Sequence, residues 1–430
     1  MCSIHGPPAS AAVDAGSHTS VGAGSSRGEG GRNTPQADGG DSAAAAVARG
    51  DASDATAKTA HGEGGAAASD AGSTDSTAAD GAPVSPDAGV VAPALLYVGR
   101  FDTSDPAGPQ MGWPGTQVVA QFNGTGVEVQ LTQTDGYSGG PSWFNVVLDG
   151  VEGVPFSLEG TSVVIPLASG LAFGRHAITL EKRTEANLGT VRFEGFTFTG
   201  GSGLLPPRPR ASHRIEFMSD STIDGYGVLG NIATTCVTGD PAEYNDSRSS
   251  LAFFTASASD AEMVLSAYSG KGLTMDEDPS DTEVYPILYP RGLPDSAASV
   301  WPFLLEIPDA VVMSLGGVDF DGLSTAPPGF QVAYDTLVGT VRAHYPTAAI
   351  WLTVWSQILD VPVATRTAMT STLQAIVSAR AAAGDGNVFL YVFPEAVPAD
   401  ETGCEGHASL AHEQAMAALM TAEIDQRLGW

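Results

Sequence analysis

Basic residues are scarce in this chain: 19 Lys and Arg stand against 49 Asp and Glu over 430 residues, a formal net charge of −30. A field of that sign repels phosphate backbones and acidic lipid surfaces, so nucleic acid is not an expected partner. No apolar run approaches the roughly 20 residues needed to cross a bilayer, the longest being short stretches such as Ala310 to Leu315. No transmembrane segment is expected. Cysteine occurs three times, and His, Cys and carboxylates nowhere cluster at metal-ligand spacing, so neither a metal nor another cofactor is expected. Phe, Trp, Tyr and Leu are missing altogether from residues 1–92, which hold eleven acidic and four basic residues among Ala, Gly, Ser and Thr. Such a segment cannot bury enough apolar area to offset its ordering entropy, and a disordered acidic tether is expected there.

The 43 % of hydrophobic residues are concentrated after Leu95. Over residues 93–203 the pattern alternates with period two, as in Val118 to Phe122, Val127 to Leu131, Asn145 to Asp149 and His176 to Glu181. Turn residues punctuate it at Asn123-Gly124, Asp149-Gly150 and Phe173-Gly174, which predicts an antiparallel, jelly-roll-like β-sandwich. Asn123-Gly124-Thr125 also matches a glycosylation sequon, although the turn suffices to explain it. Residues 204–212, with Pro206, Pro207 and Pro209, read as a stiff linker. From residue 213 to 430, strands expected at Arg214 to Met218, Glu262 to Ala267, Ala310 to Ser314, Ile350 to Val354 and Val388 to Val392 alternate with helical stretches. The helices are expected at Ser249 to Ser257, Phe330 to His344, Thr367 to Ala382 and Ala408 to Leu428. That order implies an α/β/α domain with a flavodoxin-like parallel sheet, whose site lies beyond the carboxyl ends of the strands.

Ser221 follows the first of these strands, in a turn that exposes its hydroxyl, and His407 precedes the last helix in another strand-to-helix loop. Brought to one sheet edge, they could act as nucleophile and base, although each residue type is also common in purely structural loops. Several blocks in order change the weight of these residues. Ser219-Asp220-Ser221, Tyr268-Ser269-Gly270-Lys271-Gly272, Leu315-Gly316-Gly317-Val318-Asp319 and Gly403-Cys404-Glu405-Gly406-His407 resemble the motifs of GDSL/SGNH hydrolases. With Val98 to Phe101, Leu180 to Ala186 and Phe193 to Phe196 in the sandwich, the resemblance narrows to carbohydrate esterase family two, acetyl esterases with an N-terminal β-sandwich. It covers nearly all of residues 95–430.

The resemblance implies a serine esterase that removes acetyl groups from polysaccharide or oligosaccharide, with Ser221 as nucleophile, His407 as base and the Ser221 and Gly270 N–H groups as oxyanion donors. The third oxyanion position, an asparagine in the family, is Val318, which has no donor, and Ser219, Gly406 and Ala408 also depart from the pattern. A weakened esterase, a carbohydrate-binding relative without activity and another acyl-transfer role are therefore all compatible with the motifs. Asp220 and Asp319 read equally as turn caps, His412 as a helical residue rather than a ligand, and Lys182, Arg183 and Glu185 as salt-bridge partners at the sandwich or the domain junction. Cys236 and Cys404 are expected to pair if the protein is exported, and to remain free thiols otherwise. Cys2, ahead of a polar spacer, resembles the lipid-bearing start of a bacterial lipoprotein, although an incidental cysteine explains it as well. A monomer outside the cell or on its surface is the corresponding expectation.

Overall fold

The computed structural model describes residues 95–134, 140–236, 242–356 and 363–430; Cys2 and the segment read as a tether lie outside them. The first layer pair is built from eleven strands: β1 Leu95–Val98, β2 Gln110–Met111, β3 Gln117–Gly124, β4 Gly126–Gln133, β5 Trp143–Leu148, β6 Val151–Glu152, β7 Phe156–Ser157, β8 Ser162–Ala168, β9 Gly174–Lys182, β10 Val191–Thr199 and β11 Gly203–Leu205. One sheet runs β1-β3-β9-β5-β6, with β11 added beside β3 and β7 beside β5, and the facing sheet runs β2-β10-β4-β8. All pairings within both sheets are antiparallel.

Alternation explains the packing. Val118, Ala120 and Phe122 of β3 point at Val127, Val129 and Leu131 of β4 across the sandwich, because successive side chains of a strand leave on opposite faces. Asn123-Gly124 closes β3, and Thr125 is the corner at which the chain passes to the other sheet, its N–H donating to the Thr199 carbonyl at 2.7 Å. The segment read as linker begins later than residue 204, since Leu204 and Leu205 pair with Phe122 and Gln121. Arg210, beyond it, is fastened by Glu262, Glu306 and the Tyr97 carbonyl.

The second half contains β12 His213–Ser219, α1 Leu251–Ala258, β13 Ala261–Ala267, the short helix α2 Tyr285–Leu288, β14 Ala310–Ser314, the turn-length helix α3 Gly317–Phe320, α4 Phe330–His344, β15 Ala349–Val354, α5 Val363–Ala382, β16 Val388–Val392 and α6 Leu410–Leu428. Its sheet is parallel throughout, in the order β13-β12-β14-β15-β16. Helices α4 and α5 bury Phe330, Tyr334, Leu337, Met369 and Leu373 against one face, over Met218, Met313 and Leu352. On the other face Leu251 and Ala252 of α1 and Met416 and Met420 of α6 cover Ile215, Phe217 and Trp351. The first expected helix starts two residues late because Asp246 caps a 3-10 turn over Ser247–Ser249 before Ser250 caps α1. Ser409 likewise caps α6 by accepting the His412 N–H, moving its start from Ala408 to Leu410.

At the junction of the two halves Arg100, fully buried, meets Glu216 of β12 at 2.5 Å, framed by the rings of Trp113, Tyr289, Trp301 and Phe303. The salt bridges expected of Lys182, Arg183 and Glu185 are only partly formed. Arg183 reaches Asp246 at 3.7 Å, whereas Lys182 donates to the Thr184 and Glu185 carbonyls at 2.8 and 2.6 Å and Glu185 turns to Ser269. Burial accounts for the ammonium's choice of neutral acceptors and pushes its pKa down to about 7.

Candidate active site

The strand order places β12 between β13 and β14, where successive connections leave in opposite directions and a crevice opens at the carboxyl ends. The loops after these three strands carry Ser221, Gly270 and Val318, and the loop before α6 brings His407 to the same edge. Together they line a pocket of about 580 Å³, whose walls also include Tyr226, Glu277, Trp355 and Glu405.

Ser221 Oγ lies 2.7 Å from His407 Nε2. His407 Nδ1 faces the Cys404 carbonyl at 3.2 Å. With the Nδ1 proton donated to that carbonyl, the Nε2 lone pair points at the serine hydroxyl, and no carboxylate is needed to set the tautomer. Burial lowers the His407 pKa below its usual value, opposed by the Cys404 carbonyl and by the charges of Glu405 and Glu185. The imidazole is therefore neutral and basic at pH 7. Among the described residues neither the Ser221 nor the Gly270 N–H is used by another protein group, so both are free for an oxyanion. Gly270 holds φ +79°, a left-handed conformation that costs a side-chain-bearing residue free energy and that glycine adopts freely.

The histidine loop is clamped from below. Cys404 is joined to Cys236, with Cα atoms 5.2 Å apart, and its N–H donates to the Gly227 carbonyl at 3.0 Å. A side chain at Gly227 would strike Cys404, since a Cβ there would lie 2.5 Å from the Cys404 Cβ. The Tyr226 ring packs on His407 with centroids 4.4 Å apart, and its hydroxyl donates to Glu405 at 2.9 Å. Glu405 itself is held at φ +52°, an uncommon conformation for a non-glycine residue and one often found beside functional groups.

Asp220 and Asp319 act as loop caps. Asp220 accepts the Gly317 and Thr222 N–H groups, and burial pushes its pKa up to about 6; Asp319 accepts from the Leu273 and Thr274 N–H groups. Ser219 is buried and hydrogen-bonds Thr222. His412 stands apart in a second Ser–His contact, Nε2 to Ser356 Oγ at 2.7 Å with Asp400 at 3.6 Å from Nδ1. That set borders a cavity of about 10 Å³, too small for an acyl group, so it is packing rather than a second centre. Sequence reasoning missed the Tyr226 clamp and the reach of Glu185 across the junction. Only the Gly225-Tyr226-Gly227 triplet offered a signal for the first.

A 2-1-3-4-5 parallel sheet, with a serine after its first strand and a histidine before its last helix, defines an SGNH-type hydrolase domain, here preceded by a β-sandwich. Residues 97–208 match the family described as carbohydrate esterase 2 N-terminal. A family two carbohydrate esterase from Clostridium thermocellum, solved in complex with cellohexaose, superposes with TM-score 0.71 at 36 % identity, covering 78 % of this chain and 99 % of that one. The chain belongs to carbohydrate esterase family two. It is 37 % identical over 342 residues to the cellulase/esterase CelE of Acetivibrio thermocellus, covering 79 % of this chain but only 40 % of that relative's length. A Cellvibrio japonicus acetylxylan esterase / glucomannan deacetylase is 25 % identical over 266 residues, with 61 % of this chain and 71 % of that one covered. Among the described residues no helix is long and apolar enough to cross a membrane.

Proposed function

We propose that the chain is a serine esterase that removes O-acetyl groups from a polysaccharide. The observation that carries this reading is the 2.7 Å approach of His407 Nε2 to Ser221 Oγ at the switch point of the sheet. His407 takes the Ser221 hydroxyl proton as Oγ adds to the acetyl carbonyl, and the charge that develops on the carbonyl oxygen meets the Ser221 and Gly270 N–H groups. Collapse breaks the bond to the sugar oxygen, which receives the proton back from Nε2 and leaves as the alcohol. Water then attacks acetyl-Ser221 and gives one proton to His407, and acetic acid departs as that proton returns to Ser221, ionising to acetate in solvent. The Cys236–Cys404 bond keeps the loop in place and fits an exported protein, with Cys2 as the candidate lipid anchor. The expected working form is a monomer.

Acetate release from acetylated xylan and glucomannan tests the reading: wild type releases acetate and Ser221→Ala does not. One observation favours a second reading, a carbohydrate-binding relative without hydrolysis: Val318 lines the pocket where a third oxyanion donor would stand. A protein of that kind retains polysaccharide in affinity gels with or without Ser221 and releases no acetate.

A further inference from the structure

The sandwich reaches into the pocket through one side chain. Glu185, three residues past the end of β9 and buried, accepts two hydrogen bonds from Ser269, from Oγ at 2.7 Å and from N–H at 3.3 Å. Ser269 immediately precedes Gly270, whose N–H is the donor assigned to the oxyanion. On its other side Glu185 neighbours the buried carboxyl of Asp224, which burial and the nearby Glu185 hold well above the usual carboxylate range. Asp224 lies three residues past Ser221 and accepts the Tyr226 N–H at 3.1 Å, and Tyr226 packs on His407. The Glu185 backbone is fixed in turn by Lys182, whose ammonium donates to its carbonyl at 2.6 Å. One carboxylate from the sandwich thus touches the oxyanion loop directly and, through Asp224, the turn that carries the nucleophile and the ring that backs the histidine.

We propose that Glu185 is a positioning residue for the esterase reaction: it holds Ser269 so that the Gly270 N–H points at the developing oxyanion, which makes the β-sandwich part of the catalytic apparatus. The proposal rests on the esterase reading. An oxyanion donor acts only once charge has formed on the carbonyl oxygen, so loosening it lowers kcat and leaves KM nearly unchanged. Glu185→Ala removes the one oxygen that accepts both Ser269 hydrogen bonds. Glu185→Gln retains a side-chain oxygen that can accept from Ser269.

The test is turnover of 4-nitrophenyl acetate by the full chain, with hydrogen exchange over residues 268–277 as a second readout. The expected result is a fall in kcat of about tenfold to a hundredfold in Glu185→Ala at similar KM, recovery of most of that loss in Glu185→Gln, and faster exchange of the segment only in the alanine variant. If Glu185→Ala does not fold, Ser269→Ala removes the same 2.7 Å bond from the other side and is expected to lower kcat severalfold at unchanged KM. Wild-type kcat and wild-type exchange in a folded Glu185→Ala overturn the proposal, as does a loss equal in the alanine and glutamine variants. A wild type that releases no acetate overturns the esterase reading instead, while the exchange experiment still decides whether Glu185 holds the loop.

Discussion

At the scale of single residues the proposed chemistry depends on two groups, an imidazole that must be neutral and an oxyanion site with two backbone donors. Because burial lowers the His407 pKa, kcat/KM for an acetyl ester is expected to rise with pH to a plateau. The midpoint falls below 6.5, since the active form is the unprotonated base and is lost as pH drops through that value. A pH–rate profile between 4 and 8 checks this, and a midpoint above 6.5 contradicts it. Val318→Asn places an amide where a third donor is wanted. One such donor is worth roughly 3 to 4 kcal/mol, so kcat is expected to rise by up to about a hundredfold to a thousandfold. Stiff, apolar Val318 occupies one side of the pocket, and Asn must turn inward to reach the oxygen, so part of that gain is expected to be lost. Assays of wild type, Val318→Asn and Val318→Asn with Ser221→Ala decide it. No gain in a folded variant favours the binding reading.

Elements decide where these residues stand. The loop before α6 is held by the Cys236–Cys404 bond, which closes a span of 168 residues and immobilises the carbonyl that orients His407. In the chain-entropy account a loop of that size contributes about 5 kcal/mol. Reduction is therefore expected to lower both Tm and kcat, and a Tm unchanged by reductant would show that the bond stabilises nothing. Helix α6 also buries Glu413, whose carboxylate accepts the Leu251 N–H at the start of α1, and burial pushes its pKa up to about 8. The folded protein binds a proton there that the unfolded chain has released above its ordinary value of 4.5, so this group's contribution to stability falls as pH rises from about 4.5 to about 8. Glu413→Gln is expected to raise Tm at pH 8 and to change it little at pH 4.5. Scanning calorimetry at the two pH values measures the difference.

For the whole molecule the decisive contact is Arg100 on Glu216, which fastens the sandwich to β12, an inner strand of the parallel sheet. Arg100→Met leaves the Glu216 carboxylate buried without its partner, and a loss of roughly 3 to 5 kcal/mol in urea unfolding is expected. Adding Glu216→Gln is expected to restore part of it, because the stranded charge is then gone. A loss unchanged in the double variant would trace the effect to the packing of Trp113, Tyr289, Trp301 and Phe303 instead. We also propose that residues 1–90 are dispensable for this fold. Their composition lacks the aromatics and leucines of a core, and a chain beginning near Val90 should keep the full-length Tm.

Periodicity and punctuation by themselves determined the two architectures. Period two over residues 93–203 and alternating strand and helix after residue 213 are local consequences of which side chains must face a core, so the limits of α4 and β16 could be read directly. The motif blocks marked Ser221 and His407 in the same way, because their residue types and order are written along the chain. Tertiary structure alone decided what meets across distance. Asn123-Gly124 looks like a hairpin turn, but only the pairing of β3 and β4 in different sheets makes it a corner. Lys182 reads as a salt-bridge partner, yet its complete burial favours backbone carbonyls. Glu185 and Ser269, 84 residues apart, belong to different folding patterns, and no local rule couples them. They meet because two cores, each specified by its own periodicity, dock through a buried ion pair, and the geometry of that docking is a property of surfaces that exist only after both have folded.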